Sequence, residues 1–309
     1  MKIAMMGSGG VGGFFGGRLA HAGYEVSFVA RGAHLAALCE RGLTIENQPQ
    51  GDIHVPKVRA TDDPASLGPV DLVVISVKLW DTEAAARQIK PLLGPATGVV
   101  SLQNGVTKDD ILFRELGEAR VMGGVCYVAS HVPRPGAIHQ TGTMQRVVLG
   151  EYDGRSSERA RFLVEALRKA GAVAELAADV RRAIWEKFVF LVALSATTTS
   201  MRKPIGPIRE NPRTRAFLLE IMREAVAVGR ARGVALPADY ADTRLAFADG
   251  LPADMTSSMH HDLERGSRLE VDWLSGAVVQ LGRAAGVPTP ANQAVCDILA
   301  LHAAGRQPS

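Results

Sequence analysis

At about 150 residues per domain, a chain of 309 residues is long enough for two hydrophobic cores. Its 47% hydrophobic and 22% charged residues exclude a disordered chain, and a net charge of +3 with 5% aromatics gives a nucleic-acid binder too little to work with. The three cysteines, Cys39, Cys126 and Cys296, are too scattered for a disulfide framework or a Cys-rich zinc module, and no uncharged apolar run reaches the roughly 18 residues of a membrane span.

The opening MKIAMMGSGGVGGFFGG has the outline of a signal peptide, but its glycines would break an h-region helix, and strand plus turn fits better. A soluble, reduced, cytoplasmic protein is expected. KIAMM (2–6) predicts a strand, Val11 to Ala22 a helix, and 24–30, 70–77 and 98–103 further strands rich in β-branched residues. Helices are expected at 81–90 and 106–116. Near-continuous apolar strands fit a parallel sheet covered on both faces, and their alternation with helices predicts a doubly wound α/β domain. Short strands among the turn residues of 120–150, a helix at 157–170 and a strand at 173–176 close it. From Asp179 long helical patterns dominate, at 179–198, 209–232 and 268–285. The expected chain is α/β: an N-terminal Rossmann-type doubly wound sheet over 1–178 and an all-helical C-terminal domain over 179–309.

Gly7, Ser8, Gly9, Gly10, Val11 and Gly12 match G-x-G-x-x-G. Among 32 glycines the spacing can arise by chance, but here it follows a predicted strand and opens a predicted helix. Gly7 permits the tight turn, Gly9 the approach of a pyrophosphate, and Gly12 close packing of helix on sheet, while the helix N-terminus offers N–H groups to the anion. Nineteen residues beyond Gly12, where an NAD site places Asp or Glu, stands Arg31. Its guanidinium suits a 2′-phosphate, so NADP(H) is the expected cofactor; a solvated surface arginine is the plain alternative. Lys78 and Asn104 follow the carboxyl ends of two predicted strands, the edge where open α/β sheets bind ligands. Lys78 can meet a phosphate or a substrate anion, and Asn104 a ribose or the nicotinamide end. Equally, Asn104-Gly105 is a simple turn and Lys78 a loop residue.

In the second domain Lys187 borders the apolar run AIWEKFVFLVALSA, and Leu191 and Ser195 share its helix stripe. Facing a cleft between the domains, the lysine is a proton donor among apolar walls; facing outward, it snorkels. Ser257 and Ser258 precede a helix, where hydroxyls either cap it or bind a carboxylate. Adjacent His260 and His261 diverge by about a third of a turn, so no shared metal is expected. A hydrolase is disfavoured because no G-x-S-x-G elbow occurs, Ser8 having Met6 two residues before it.

Together GSGGVG (7–12), ISVK (75–78), LQNG (102–105), WEKF (185–188) and TSSMHHDLERGSRLEVDWLSG (256–276) resemble the ketopantoate reductases, or 2-dehydropantoate 2-reductases. The motifs follow the family's order over nearly the whole chain, and the twelve-residue interval from Ser258 to Glu270 is the most specific of them. The resemblance implies an NADPH-dependent oxidoreductase reducing a 2-oxo acid to a 2-hydroxy acid, within pantothenate biosynthesis for the named members. It makes Lys187 the proton donor, Glu270 its acid partner in contact with the cofactor, and Ser258, with Ser257 beside it, a substrate-binding hydroxyl. Lys78 and Asn104 become cofactor contacts, Asn104 near the substrate as well. The family's substrate asparagines, four, eight and eighteen residues after the lysine, are here Leu191, Ser195 and Ile205. Three lost hydrogen bonds at about 1–3 kcal/mol each leave little affinity for ketopantoate, so a bulkier or less polar substrate is expected at these three positions. Two rivals stay open: a reductase of a ketone or imine without a carboxylate, and a non-catalytic NADP-binding sensor. Ser257-Ser258 speaks against the first, and Lys187 with Glu270 against the second. The expected partner is a small-molecule carbonyl substrate, with neither nucleic acid nor membrane, and the oligomeric state is open, a homodimer included.

Overall fold

The computed structural model describes residues 1–47 and 51–306. It divides into two compact units, Met1–Asn104 with Lys108–Ala183, and Gly105–Thr107 with Ile184–Ser309.

The first unit opens with β1 (Lys2–Met6), α1 (Gly10–His21), β2 (Glu25–Val29), α2 (Gly32–Arg41), β3 (Leu43–Asn47), β4 (Ile53–Val55) and β5 (Arg59–Thr61). It continues through β6 (Val70–Ile75), α3 (Thr82–Gln88), β7 (Leu93–Ser101), α4 (Lys108–Leu116), β8 (Val121–His131), β9 (Ala137–Gly150), α5 (Glu158–Lys169) and β10 (Val173–Leu176). One sheet runs β4-β3-β9-β8-β7-β6-β1-β2-β5, with β10 on β9. From β8 through β7, β6, β1 and β2 to β5 all pairs are parallel. The chain goes from β1 out to β2, leaves for β3 and β4 at the far end of the sheet, returns to β5 beside β2, and then crosses to β6 on the other side of β1. That reversal is the switch point at whose carboxyl edge such sheets bind ligands.

Alternation along the central strands feeds two cores. Ile3, Met5, Leu72 and Val74 join Phe14 and Phe15 of α1 and Leu163 and Leu167 of α5 on one face. Ala4, Met6, Val73 and Ile75 join Ala85 and Ala86 of α3 and Leu112 of α4 on the other. Burial on both sides is why these strands read as unbroken apolar runs. Over 120–150 the structure corrects the expected short strands: β8 and β9 are eleven and fourteen residues long and pair antiparallel. The three strands β3, β4 and β5 went unpredicted, because each is short and buries at most two apolar side chains.

The second unit contains most of α6 (Val180–Met201), then α7 (Ile205–Glu210), α8 (Pro212–Ala231), α9 (Tyr240–Asp249), α10 (Ser258–Glu264), α11 (Ser275–Ala285) and α12 (Pro290–Leu299), with no strand among its described residues. Helix α8 lies against α7, α9, α11 and α12. Close approach at Gly229 seats the Trp185 ring, since a Cβ there would fall 2.7 Å from it. The Glu224 carboxylate, buried on α8, accepts the N–H groups of Ala291 and Asn292 and the Asn292 side-chain amide at 2.6–2.9 Å. It thereby caps the start of α12 from outside. The helix expected over 268–285 begins later, at Ser275. Leu269 donates its N–H to Ala303, and a 3-10 turn at Val271–Trp273 intervenes.

Candidate active site

In the first unit four neighbouring strands end in line. Val29, Met6, Ile75 and Ser101 are register partners across β2, β1, β6 and β7, a row of roughly 14 Å at the usual strand spacing. Gly7–Gly12, Arg31, Lys78 and Asn104 all follow directly on this edge. Gly7 leaves β1 at φ +96°, which favours glycine, and a Cβ on Gly12 would stand 2.0 Å from the Gly7 carbonyl oxygen and 2.1 Å from Ser76 Oγ. A Cβ on Gly9, by contrast, would meet nothing within 4 Å. Helix α1 starts there with no side-chain cap and no acidic residue in its first turn. An open space over an uncapped helix start fits the pyrophosphate of a dinucleotide.

Hydrogen bonds fix this edge. Ser76 donates its N–H to Met6 at 2.9 Å and its hydroxyl to the Gly7 carbonyl at 2.7 Å, while the Ser8 hydroxyl donates to Val29 at 3.0 Å. Arg31, exposed at the N-cap of α2, donates from Nη2 to Gln88 Oε1 of α3 at 3.0 Å. Lys78 is exposed, with Nζ 5.6 Å from the Trp80 ring centroid, and Asn104 is half-buried. Gln103 was given no role by the sequence, yet it braces the two loops. Its Nε2 donates to the Val77 carbonyl and to Thr82 Oγ1, both at 2.9 Å, and its Oε1 accepts from Ser101 Oγ at 2.9 Å. The hint was a glutamine two residues past the end of a buried strand. His34 was also missed: its Nδ1 accepts the Gly136 N–H at 3.2 Å, and burial holds the imidazole below its ordinary pKa.

In the second unit α6 is helical throughout, so Lys187, Leu191 and Ser195 recur on one side of it. Lys187 and Leu191 are half-buried and Ser195 is buried. Trp185, Phe188, Val189 and Val192 of the same helix are buried. Ile205, fully buried, opens α7 and donates its N–H to Met255 at 2.9 Å, tying that helix to the segment before Ser258. Glu270 is buried and precedes the 3-10 turn, its carbonyl accepting from Trp273 and Leu274 at 3.0 Å.

Of the two roles open to Ser257, capping is the one the structure shows. It is the N-cap of α10, accepting the His260 N–H at 3.1 Å, and lies 3.0 Å from Thr198 Oγ1. The Thr198 hydroxyl already donates to the Leu194 carbonyl at 2.6 Å, so the Ser257 proton goes to Thr198. In this arrangement none is left for an outside acceptor, while Ser258 is the exposed first residue of α10. The adjacent histidines turn to different partners: His260 Nδ1 lies 2.8 Å from the Thr198 carbonyl, and His261 Nε2 lies 2.9 Å from Thr256 Oγ1. Thr198 was missed altogether, although Thr197, Thr198 and Thr199 interrupt an otherwise apolar helix. Among the described residues no group of three or more His, Cys, Asp or Glu is placed to hold a metal ion, and no helix is long and apolar enough to cross a membrane.

A doubly wound sheet with a glycine-rich turn, joined to a helical unit carrying a lysine and a buried carboxylate, defines the architecture of a Rossmann-type oxidoreductase. The chain belongs to the ketopantoate reductase PanE/ApbA family: the family's main model matches residues 3–154 and its C-terminal model residues 179–303. It is accordingly an oxidoreductase acting on a CH–OH/C=O pair. The 2-dehydropantoate 2-reductase of Mesorhizobium japonicum is 36% identical over 317 residues, covering 96% of this chain and 95% of that one. The crystal structure of a PanE/ApbA family ketopantoate reductase from Ralstonia eutropha matches with a TM-score of 0.88 at 37% identity, covering 98% of each chain. D-mandelate dehydrogenase, in its ternary structure with NADH and anilino(oxo)acetate, shares the fold at a TM-score of 0.89, with 21% identity over 98% of each chain.

Proposed function

We propose that this protein reduces a 2-oxo acid to the 2-hydroxy acid with NADPH, residues 1–178 holding the cofactor and residues 179–309 the substrate and the proton donor. The observation that carries the reading is Lys187 on the Leu191–Ser195 side of α6, in a chain matched over 96% of its length by a 2-dehydropantoate 2-reductase. Gly7–Gly12 receive the pyrophosphate, Arg31 the 2′-phosphate, and Lys78 and Asn104 further cofactor atoms, Asn104 touching the substrate as well. When bound, the reduced nicotinamide supplies hydride to the carbonyl carbon. The Lys187 ammonium neutralises charge developing on the carbonyl oxygen and gives that oxygen its proton. Glu270 touches the cofactor and opposes the loss of charge that desolvation imposes on a lysine. Ser258 donates to the substrate carboxylate.

Leu191 and Ile205 offer a substrate hydrocarbon where the family's asparagines offer amides, and Ser195 keeps one short hydroxyl. This favours a 2-oxo acid with a bulky apolar side chain over ketopantoate. The test is kcat/KM with NADPH across ketopantoate, branched and aromatic 2-oxo acids, and ketones lacking a carboxylate. A bulky 2-oxo acid should exceed ketopantoate by at least about tenfold. A clear lead for ketopantoate defeats the specificity reading, and a lead for a simple ketone removes the role of Ser258. Turnover of none of them leaves the sensor.

A further inference from the structure

We infer that His260 is a positioning residue for the substrate end of this site, an inference that rests on the role given to Ser258 above. Three buried residues close a ring of hydrogen bonds. The His260 ring donates from Nδ1 to the Thr198 carbonyl at 2.8 Å, the His260 backbone N–H donates to Ser257 Oγ at 3.1 Å, and Ser257 Oγ donates to Thr198 Oγ1 at 3.0 Å. Thr198, Ser257 and His260 are 0%, 5% and 6% exposed, so water competes for none of these bonds. The other ring nitrogen, Nε2, lies 3.2 Å from the Glu264 carboxylate on the same helix. The Nδ1 bond to the Thr198 carbonyl thus fixes the tilt and the direction of the His260 ring.

The ring of bonds joins the last turn of α6 to the first turn of α10. Ser195 stands one turn before Thr198 on α6, and Ser258 directly follows Ser257, so the spacing of these two proposed substrate hydroxyls is held by two ties, the direct Ser257–Thr198 bond and the His260 ring. The end of α6 is otherwise under strain. Arg202, one residue past the helix, has φ 52° and is the one non-glycine residue with positive φ among the described residues. Such a conformation costs about 1 kcal/mol or more and persists only where surrounding contacts over-determine it. A histidine that accepts nothing from the substrate therefore governs how the substrate is held, and its loss is felt in KM rather than in the proton-transfer step.

The test is a steady-state and stability comparison of His260→Leu, His260→Gln and His260→Asn, alongside Ser258→Ala. Asparagine keeps a side-chain N–H near the Nδ1 position, whereas glutamine carries its own near Nε2. His260→Leu and His260→Gln should raise KM for the best 2-oxo acid about tenfold, with kcat within about twofold and NADPH affinity unchanged, and His260→Asn should restore most of the loss. If His260→Leu does not fold, the glutamine–asparagine pair carries the comparison. Variants that lower the melting temperature alike while KM stays at the wild-type value overturn the inference, as does equal KM for glutamine and asparagine. The two readings fail separately. A raised KM in Ser258→Ala with an unchanged KM in the His260 variants sinks only the positioning role, whereas an unchanged KM in Ser258→Ala removes the substrate contact itself and the inference with it.

Discussion

In the proposed cofactor site a guanidinium at the end of β2 would meet the ribose with positive charge, where a carboxylate would meet it with an acceptor for the 2′-hydroxyl. Charge-assisted hydrogen bonds to a phosphate contribute about 1.5–3 kcal/mol, or roughly 10–100-fold in affinity. Arg31→Ala should therefore weaken NADPH binding by that factor and leave NADH nearly untouched, as read by fluorescence titration of each cofactor. Equal losses for both, or none for NADPH, would take Arg31 out of cofactor selection. Arg31, the glycines and Lys187 could be proposed from the sequence because residue type at a fixed spacing carries their chemistry. Gln103, Thr198 and the ring of His260 could not, since their partners lie on other loops and helices, and the inward bond of Ser257 was hidden for the same reason. A serine before a helix reads alike whether its proton is used inside or offered outward, and only the Thr198 bond decides.

Among the elements, α5 shows how one polar cluster fastens a helix to the sheet. Ser157 caps it, and Glu151, buried at the end of β9, accepts from Ser157 Oγ at 2.5 Å and from Arg159 Nε and Nη2 at 2.7 Å. Burial pushes the Glu151 carboxyl up, but the Arg159 and Ser157 hydrogen bonds outweigh it and hold the group below its ordinary value. A carboxyl whose folded pKa is depressed contributes stability that is present above its unfolded value and is lost as pH falls through the folded one. Glu151→Gln should thus cost about 1–3 kcal/mol near pH 7, with the gap to the unsubstituted protein closing as pH falls below about 4, in urea unfolding followed by circular dichroism. A gap of constant size over that range would contradict the assignment. Elements buried on both faces, or with one long apolar stripe, such as β1, β6 and α6, were legible from periodicity. The short strands β3 to β5 and the late start of α11 were not, because pairing across distant segments and the Leu269–Ala303 bond decide them.

The molecule as a whole pairs a doubly wound sheet with a helical unit, each with buried apolar side chains of its own. This α/β architecture was expected from strand–helix alternation followed by helical patterns alone, whereas the extension of the sheet through β8, β9, β3 and β4 was not, since it depends on non-local pairing. The functional account assigns the cofactor to groups on the first unit's strand edge and the proton to a side chain on α6. These contributions are separable by experiment. The most direct measurement is kcat for the best 2-oxo acid, together with NADPH affinity, in Lys187→Ala. The account predicts a fall in kcat of roughly 10²–10⁴ with NADPH affinity unchanged, and turnover near that of the unsubstituted enzyme would contradict it.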